Sequence, residues 1–224
     1  MDRNSFTGAT SVSGGKLLVN GILSSTSTTL ATAAVLGGSG TISGAVVVGA
    51  TGTLSPGNSP GILTVNSLSL TGSAFTLMEI VGSGSTAGVA GTAYDQVAVT
   101  SASGLAFGGT LDLDFGNRTS LFAEGTMFQL FSFSGTTSGD FTTIRTIDAS
   151  GSYAGLTFTQ SPYVAGEWTT GIIGGSGNQY LVFSENTGRL VALPEPSSVA
   201  MAALGANLAG WQLWRKSRRR KRAA

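Results

Sequence analysis

Hydrophobic positions along this chain alternate over short stretches and rarely recur at helical spacing. Between residues 5 and 193, brief apolar runs are separated by Gly, Ser, Thr and Asn. Alternation at every second position predicts strands with one buried face, and the small residues between them predict turns. The clearest predicted strands are 16–21, 41–50, 61–70 and 74–81.

The third of these predicted strands changes phase in its middle. Leu63 and Val65 form one alternating pair, whereas Leu68 and Leu70 form a second pair that is offset by one residue. A bend after Asn66 would keep both pairs facing inward, as at the corner of a parallel β-helix. A β-bulge explains the same offset equally well.

The composition limits the kinds of catalytic and metal-binding sites that the chain can form. The 224 residues include 34 glycines, no cysteine and no histidine, and only 10% of the residues are charged. The chain therefore lacks an imidazole base, a thiol nucleophile, disulfides and the usual ligands of zinc and iron–sulfur clusters. We expect a non-enzymatic protein with no cofactor and no metal site.

Positive charge is concentrated near the C-terminus. Seven of the 12 lysines and arginines lie in 215–222, and the 16 residues directly before them, 199–214, carry no charge. A helix of that length spans about 24 Å, against roughly 30 Å for a bilayer core. The pattern predicts a single short hydrophobic helix that anchors the chain in a membrane, so we expect no nucleic-acid partner. The alternative is a buried helix followed by a solvated basic tail.

Two prolines flank an acidic residue upstream, in Pro194-Glu195-Pro196. Proline lacks a backbone donor and restricts the residue before it, which predicts an extended, accessible segment outside helices and paired strands. The order of Pro-Glu-Pro, apolar helix and terminal arginine cluster closely resembles the PEP-CTERM sorting signal of Gram-negative envelope proteins. The resemblance covers 193–224 and implies that an exosortase, a membrane-embedded transpeptidase-like enzyme, recognises Pro194, Glu195 and Pro196.

The same resemblance implies roles for the rest of the tail. Residues 199–214 would be a transient inner-membrane span, and the basic cluster would be a cytoplasmic stop. The residues of this predicted stop are Arg215, Lys216, Arg218, Arg219, Arg220, Lys221 and Arg222.

Recurring phrases point to the fold of the remaining chain. FTGAT, VNG, LGGSGTI and LSPGNSPG follow one another within residues 6–70, and YDQVAV, FGGTLDLDF and MFQLFSFSG come later. They resemble the autotransporter-type β-strand repeats of bacterial passenger domains. The resemblance implies an all-β fold, a right-handed parallel β-helix or solenoid with Gly/Ser/Thr-rich turns, and a structural or adhesive role. Variable turn lengths prevent a strict period from being read.

These interpretations divide the chain into three parts. Residues 1–92 are predicted to form the repeat solenoid, 93–192 a β region that either continues the solenoid or forms a β-sandwich, and 193–224 the sorting signal. Because no apolar signal peptide follows Asp2 and Arg3, we expect either the C-terminal part of a longer exported protein or a start assigned too late.

The expected function follows from both resemblances. We expect an exported bacterial surface or extracellular-matrix protein that is anchored transiently in the inner membrane and then reaches the cell surface. Its expected partners are the exosortase and either extracellular polysaccharide or other surface proteins. The alternatives are a carbohydrate-active β-helix enzyme (a polysaccharide lyase or hydrolase) and a permanently membrane-anchored envelope protein.

One local motif invites a catalytic interpretation. GNSPG, residues 57–61, matches the G-x-S-x-G nucleophile elbow around Ser59. The elbow requires a helix after the serine, which Pro60 would block, and a histidine partner. We therefore interpret this segment as a turn.

The acidic residues offer two further possibilities. Asp112 and Asp114 alternate on one predicted strand face and could share calcium, but two carboxylates are an incomplete ligand set. Glu167, Glu124 and Asp140 are candidates for a glycosidase carboxylate pair. The acidic residues are spaced singly along the sequence, which predicts no clustered pair.

Overall fold

A computed structural model of the chain describes residues 3–102, 104–174 and 179–195. Within these ranges the protein is all-β, with 21 strands and no α-helix. None of the described segments, accordingly, is a helix with the length and hydrophobicity to cross a membrane. The chain divides into two compact units, Met1–Leu193 and Pro194–Ala224. The predicted hydrophobic helix, 199–214, lies outside the described residues.

The strands, in chain order, are β1 (Arg3–Asn4), β2 (Thr10–Val12), β3 (Lys16–Leu18), β4 (Ile22–Leu23), β5 (Ser27–Leu30), β6 (Val35–Gly38), β7 (Thr41–Val48), β8 (Thr53–Pro56), β9 (Ile62–Leu70), β10 (Phe75–Glu79), β11 (Gln96–Val99), β12 (Leu105–Ala106), β13 (Thr110–Asp114), β14 (Met127–Gln129), β15 (Phe131–Ser132), β16 (Thr137–Ser138), β17 (Thr143–Thr146), β18 (Thr159–Gln160), β19 (Glu167–Thr169), β20 (Gln179–Ser184) and β21 (Arg189–Pro194). Each of the four clearest predicted strands contains an observed strand: β3, β7, β9 and β10.

Most strands stack in parallel in three columns. The first column contains β1, β4, the first halves of β7 and β9, β11 and β15. The second contains β2, β5, the second halves of β7 and β9, β12 and β16. The third contains β3, β6, β8, β10, β13 and β17. We call one strand from each column a layer, so that β1–β3 form the first layer and β15–β17 the last.

The chain length between stacked strands is greater in the later layers than in the early ones. Val35 follows its partner Lys16 by 19 residues, and Phe75 follows its partner Thr53 by 22. In the later layers Thr110 follows Phe75 by 35 residues. The added residues lie in the turns while the strands remain in register, which explains why the sequence shows no strict period.

Inward side chains of stacked strands form continuous ladders. In the third column Leu36, Leu54, Thr76, Leu111 and Ile144 follow one another directly, and each is fully buried. Burial of the apolar members supplies the main stabilising free energy, at about 25 cal/mol per Å². The hydroxyl group of Thr76 is enclosed among these apolar neighbours.

A corner shared by β7 and β9 joins the first two columns. The predicted change of phase is confirmed, because Asn66 is exposed and the register with β7 shifts between Ile42 and Ala45, as either a bend or a β-bulge produces. A Cβ atom at Gly44 would lie 2.2 Å from the carbonyl oxygen of Thr26, so the corner requires glycine there. The four apolar residues predicted to face inward are all buried: Leu63, Val65, Leu68 and Leu70.

A separate five-stranded sheet, with antiparallel pairing, has the order β14-β21-β20-β19-β18 in the described part of the chain. Only Leu130 separates β14 from β15, so this sheet is joined directly to the last layer. The amides of Leu130 and Phe131 both donate to the carbonyl oxygen of Gly188, at 2.9 and 3.0 Å. Residues 93–192 therefore supply strands to the parallel columns and to this second sheet.

Aromatic side chains connect the later layers to the antiparallel sheet. Four rings, all buried, have centroids 5.0–6.5 Å apart. We call this cluster the aromatic cap; it contains Phe131 of β15, Phe107 and Phe141 in the turns beside the columns, and Phe183 of β20. Edge-to-face contacts of this kind add about 0.5–1.5 kcal/mol per pair beyond area burial.

Candidate functional site

The predicted recognition segment begins at the end of β21. The backbone of β21 is paired as far as Ala192, with the residues that precede β14. The carbonyl oxygen of Ala192 accepts the amide of Gly125 at 2.7 Å, and the amide of Ala192 donates to the carbonyl oxygen of Thr126 at 2.9 Å. Pro194 is the exposed last residue of β21, and Glu195 follows it half-buried. The strand thus reaches one residue into the Pro-Glu-Pro segment, further than the sequence predicted, because proline is tolerated at a strand end.

The rest of the predicted sorting signal falls outside the described residues. This applies to Pro196, to the predicted membrane span and to every residue of the predicted basic stop, 215–222. Their recognition and membrane roles stay predictions.

The GNSPG segment is a turn between β8 and β9, as the sequence predicted. Ser59 has a φ of +86° and Gly57 a φ of +84°, and β9 begins at Ile62 without an intervening helix. The buried carboxylate of Asp95 accepts the amide of Gly61 at 2.8 Å and the amide of Glu79 at 2.9 Å. Asp95, which directly precedes β11, thereby connects this turn and the end of β10 to the next layer.

Burial perturbs the acidity of Asp95. Its side chain is only 1% exposed, and this desolvation raises its pKa to about 6 although both hydrogen bonds favour the ionised form. Asp95 belongs to none of the motifs that suggested functional residues from the sequence. The spacing in the sequence could have indicated this contact. Asp95 follows Gly61 by 34 residues, and the adjacent stacked residues, Ile62 and Gln96, have the same separation.

Asp112 and Asp114 share the outward face of β13, as predicted. Asp112 forms an ion pair with Arg145 on the stacked strand β17, with Nε and Oδ1 2.7 Å apart. Asp114 accepts the amide of Gly116 at 2.8 Å. Both carboxylates therefore have structural partners, and the described residues contain no group of three or more side chains suited to a metal ion.

One acidic residue acts on another across the fold. The carboxyl group of Asp140, in the turn between β16 and β17, contributes to the raised pKa of Glu185, which directly follows β20. Glu185 is 2% exposed, whereas Asp140 is exposed. The two residues are 45 positions apart in sequence, so their contact depends on the antiparallel sheet lying against the last layer, which sequence spacing does not reveal.

Glu185 also holds the backbone of the last layer. Its Oε1 accepts the amide of Phe141 at 2.7 Å, whereas its Oε2 is buried and makes no hydrogen bond within the described residues. The indole Nε1 of nearby Trp168 is likewise buried without a partner in that part of the chain. Burial, followed by the neighbouring charge of Asp140, raises the pKa of Glu185 to about 7.

The other proposed carboxylate partners are not part of this pair. Glu167 is half-buried on β19, where it lies opposite Ser184 and alternates with buried Trp168. Glu124 is exposed in the loop before β14. Of the three candidates from the sequence, Asp140 is the one that acts on another acidic residue, Glu185.

The first layer differs from the last in its apolar surface. An open cavity of about 330 Å³ is lined by Asn4 and by residues 17–23. Leu18, on the edge strand β3 of its sheet, has 44% of its surface exposed. The first layer presents apolar side chains to solvent, whereas the last layer is covered by the aromatic cap.

No protein-family model, curated protein or solved structure matches the chain.

Proposed function

We propose that this protein is an exported bacterial surface or extracellular-matrix protein with a structural or adhesive role. In this proposal its C-terminal segment is a sorting signal that an exosortase processes after transient anchoring in the inner membrane. The observation that carries the proposal is the order of Pro194-Glu195-Pro196, an uncharged segment and a basic cluster at the C-terminus.

The structure at the end of β21 supports recognition of this segment. A transpeptidase must bind its substrate as an extended and accessible chain. Ala192 is buried and hydrogen-bonded, whereas Pro194, two residues later, is exposed. The recognition segment therefore begins where the backbone leaves the antiparallel sheet, so cleavage beyond it would leave the strand intact.

We further infer that the three parallel columns form a right-handed β-solenoid. Six successive layers with in-register parallel pairing support this inference, as do the turns that absorb the variation in layer length. Outward positions on β7 and β9 carry small side chains, such as Ala45, Val47, Ser67 and Ser69. Such a surface suits close contact with extended polysaccharide or with another protein.

Mass spectrometry of the protein recovered from its own cells tests the sorting role. We expect a mature C-terminus near the Pro194-Glu195-Pro196 segment, loss of 199–224, and a body outside the inner membrane. Replacing all three residues by alanine should leave the tail attached. Pro162→Ala, in an exposed loop, is the matched control and should be processed normally.

An intact chain that ends at Ala224 in the inner membrane would contradict the sorting role and favour a permanent anchor. Normal processing of the triple-alanine variant would contradict the role of the Pro-Glu-Pro residues.

The carbohydrate-active alternative predicts a different result. Its best carboxylate pair is now Asp140 and Glu185, but Glu185 is 2% exposed and is shielded from a glycan in this conformation. Glycan cleavage by the purified protein that is lost in both Asp140→Asn and Glu185→Gln would favour this alternative over the structural role.

A further inference from the structure

The strands of the first layer are paired along one edge only. Within the described ranges β3 pairs with β6, β2 with β5 and β1 with β4, and no strand lies on their other side. An open strand edge carries a row of backbone amides and carbonyl oxygens that can pair with another chain. The first layer is therefore a surface that can accept further strands.

The bonds between β3 and β6 determine which backbone groups of β3 face the open edge. The carbonyl oxygen of Gly15 and the amide of Val19 both bond to β6, at 2.8 and 2.9 Å. Backbone groups of successive residues alternate between the two edges of a strand. Leu17 therefore faces β6 as well, whereas Lys16 and Leu18 direct their amides and carbonyl oxygens to the open edge.

Apolar side chains accompany this open edge. Leu17 and Val12 begin two of the inward ladders, and both are half-buried. The residues stacked on them, Leu36 and Leu30, are fully buried. A layer placed over the first one would bury Leu17 and Val12 in the same way, and removal of apolar surface from water favours that contact.

The last layer of another copy cannot supply this cover, because its own outer edges are occupied. Residues 156–158 accept the amide of Thr146 and donate to the carbonyl oxygen of Ile144 on β17, at 2.9 Å in both bonds. On β15 the amide of Phe131 donates to the carbonyl oxygen of Gly188 at 3.0 Å. A second copy can therefore add strands to the first layer only through its own first layer.

We propose that two copies of this chain associate through their first layers about a two-fold axis, with β3 of one copy antiparallel to β3 of the other. This inference uses only the described columns and does not depend on the proposed sorting role. With the axis at Leu17, Lys16 of each copy lies opposite Leu18 of the other. Both residues direct their backbone groups to the shared edge, so each such pair can exchange two hydrogen bonds.

The first layer is large enough for such an interface. It comprises residues 3–21, about 20 residues, and a standard interface has roughly 20–30 residues on each side. A two-fold axis perpendicular to the columns sets the third column on itself and exchanges the first two. The open edges of β1 and β2 therefore also meet strands of the second copy, and the contact closes at two copies.

Distances between spin labels test the arrangement of the two copies. The chain has no cysteine, so single cysteines can be labelled in the full chain, solubilised in mild detergent. Thr53 and Thr143 occupy outward positions of the third column, in the third and sixth layers. Stacked strands are about 4.8 Å apart, so double electron–electron resonance should give about 25 Å for Thr53→Cys and about 55 Å for Thr143→Cys.

Two variants of Leu18 test the edge itself, with sedimentation analysis of the full chain in the same detergent. Leu18→Pro removes an open-edge amide but none of the bonds between β3 and β6. Leu18→Lys places a lysine opposite Lys16 of the second copy. Each change occurs twice in the dimer and should raise its dissociation constant about tenfold or more.

Ile147→Lys is the matched control. Ile147 directly follows β17 of the last layer and is 43% exposed, against 44% for Leu18. This variant gains the same charge at the other end of the columns and should leave the dissociation constant unchanged.

A monomeric parent protein would overturn the proposal, and so would a dimer that neither Leu18 variant weakens, as expected for association through 199–214. Equal label distances of about 30 Å at both positions would overturn it in favour of head-to-tail stacking of six-layer units. If circular dichroism shows that Leu18→Pro does not fold, Leu18→Lys and the label distances decide the question.

Discussion

Replacement of Thr76 by valine should stabilise the protein. Thr76 is fully buried in the ladder of the third column, between Leu54 and Leu111, and its Oγ1 has no hydrogen-bond partner within the described residues. A buried hydroxyl without a partner costs roughly 1–3 kcal/mol. Valine has nearly the same shape, so Thr76→Val should raise the free energy of unfolding by about 1–2 kcal/mol.

A second threonine of the same column is the matched control. Thr146 on β17 also faces inward, but its Oγ1 donates to the carbonyl oxygen of Tyr153 at 2.5 Å and accepts the amide of Leu156 at 2.9 Å. Valine would leave both backbone groups unsatisfied. Thr146→Val should therefore lower the free energy of unfolding by about 2–4 kcal/mol, opposite in sign to Thr76→Val.

Denaturant unfolding followed by far-UV circular dichroism measures both changes. The midpoint should rise in Thr76→Val and fall in Thr146→Val, with little change in the m-value. If Thr76→Val destabilised the protein as Thr146→Val does, its hydroxyl would have a partner in solution, and the view of the column as a dry apolar ladder would be wrong.

Three further predictions concern charge and backbone. Because burial raises the pKa of Asp95 to about 6, the folded state binds the proton of Asp95 more tightly than the unfolded state does. The free energy of unfolding should therefore fall by about 3 kcal/mol between about pH 4 and pH 7. Denaturant titrations at several pH values should show that Asp95→Asn removes this part of the decrease. Gly109→Ala should lower the melting temperature strongly, because its Cβ would lie 2.1 Å from the carbonyl oxygen of Ala74 at a φ of +71°; Gly72→Ala, with open space around it, should not. Arg145→Ala removes an exposed ion pair and should change the free energy of unfolding by less than about 1 kcal/mol.

Strand positions were predictable because alternation is local information. The phase change around Asn66 also predicted an irregularity in β9, since four inward apolar residues could share one core only if the strand bent or carried a β-bulge there. The pairing of strands was less accessible to sequence reasoning. Stacked partners are separated by 19 residues at Lys16 and Val35 but by 35 at Phe75 and Thr110, so no single period identifies them.

The roles of the acidic residues could not be predicted from their spacing. Asp112 and Asp114 were assigned to one strand face because alternation determines the face. Asp95 and Glu185 instead act on amides 34 and 44 residues earlier in the chain, so their roles depend on how the layers stack. Of the recognition segment, only Pro194 and Glu195 lie in the described residues, so its role stays a prediction.

Backbone amides without a carbonyl partner on a stacked strand explain why a chain with so little charge buries carboxylates. A buried amide of this kind must find another acceptor. Asp95, Asp148 and Glu185 supply those acceptors. The amides that they accept lie 31–44 residues earlier in the chain, except that of Glu79, which lies 16 residues before Asp95. In the early layers the buried hydroxyl of Ser25 has the opposite role, because it donates to the carbonyl oxygen of Gly8 at 2.7 Å. Since a hydroxyl does not titrate in this range whereas Asp95 and Glu185 have raised pKa values, sensitivity to pH should be concentrated in the later layers and their cap.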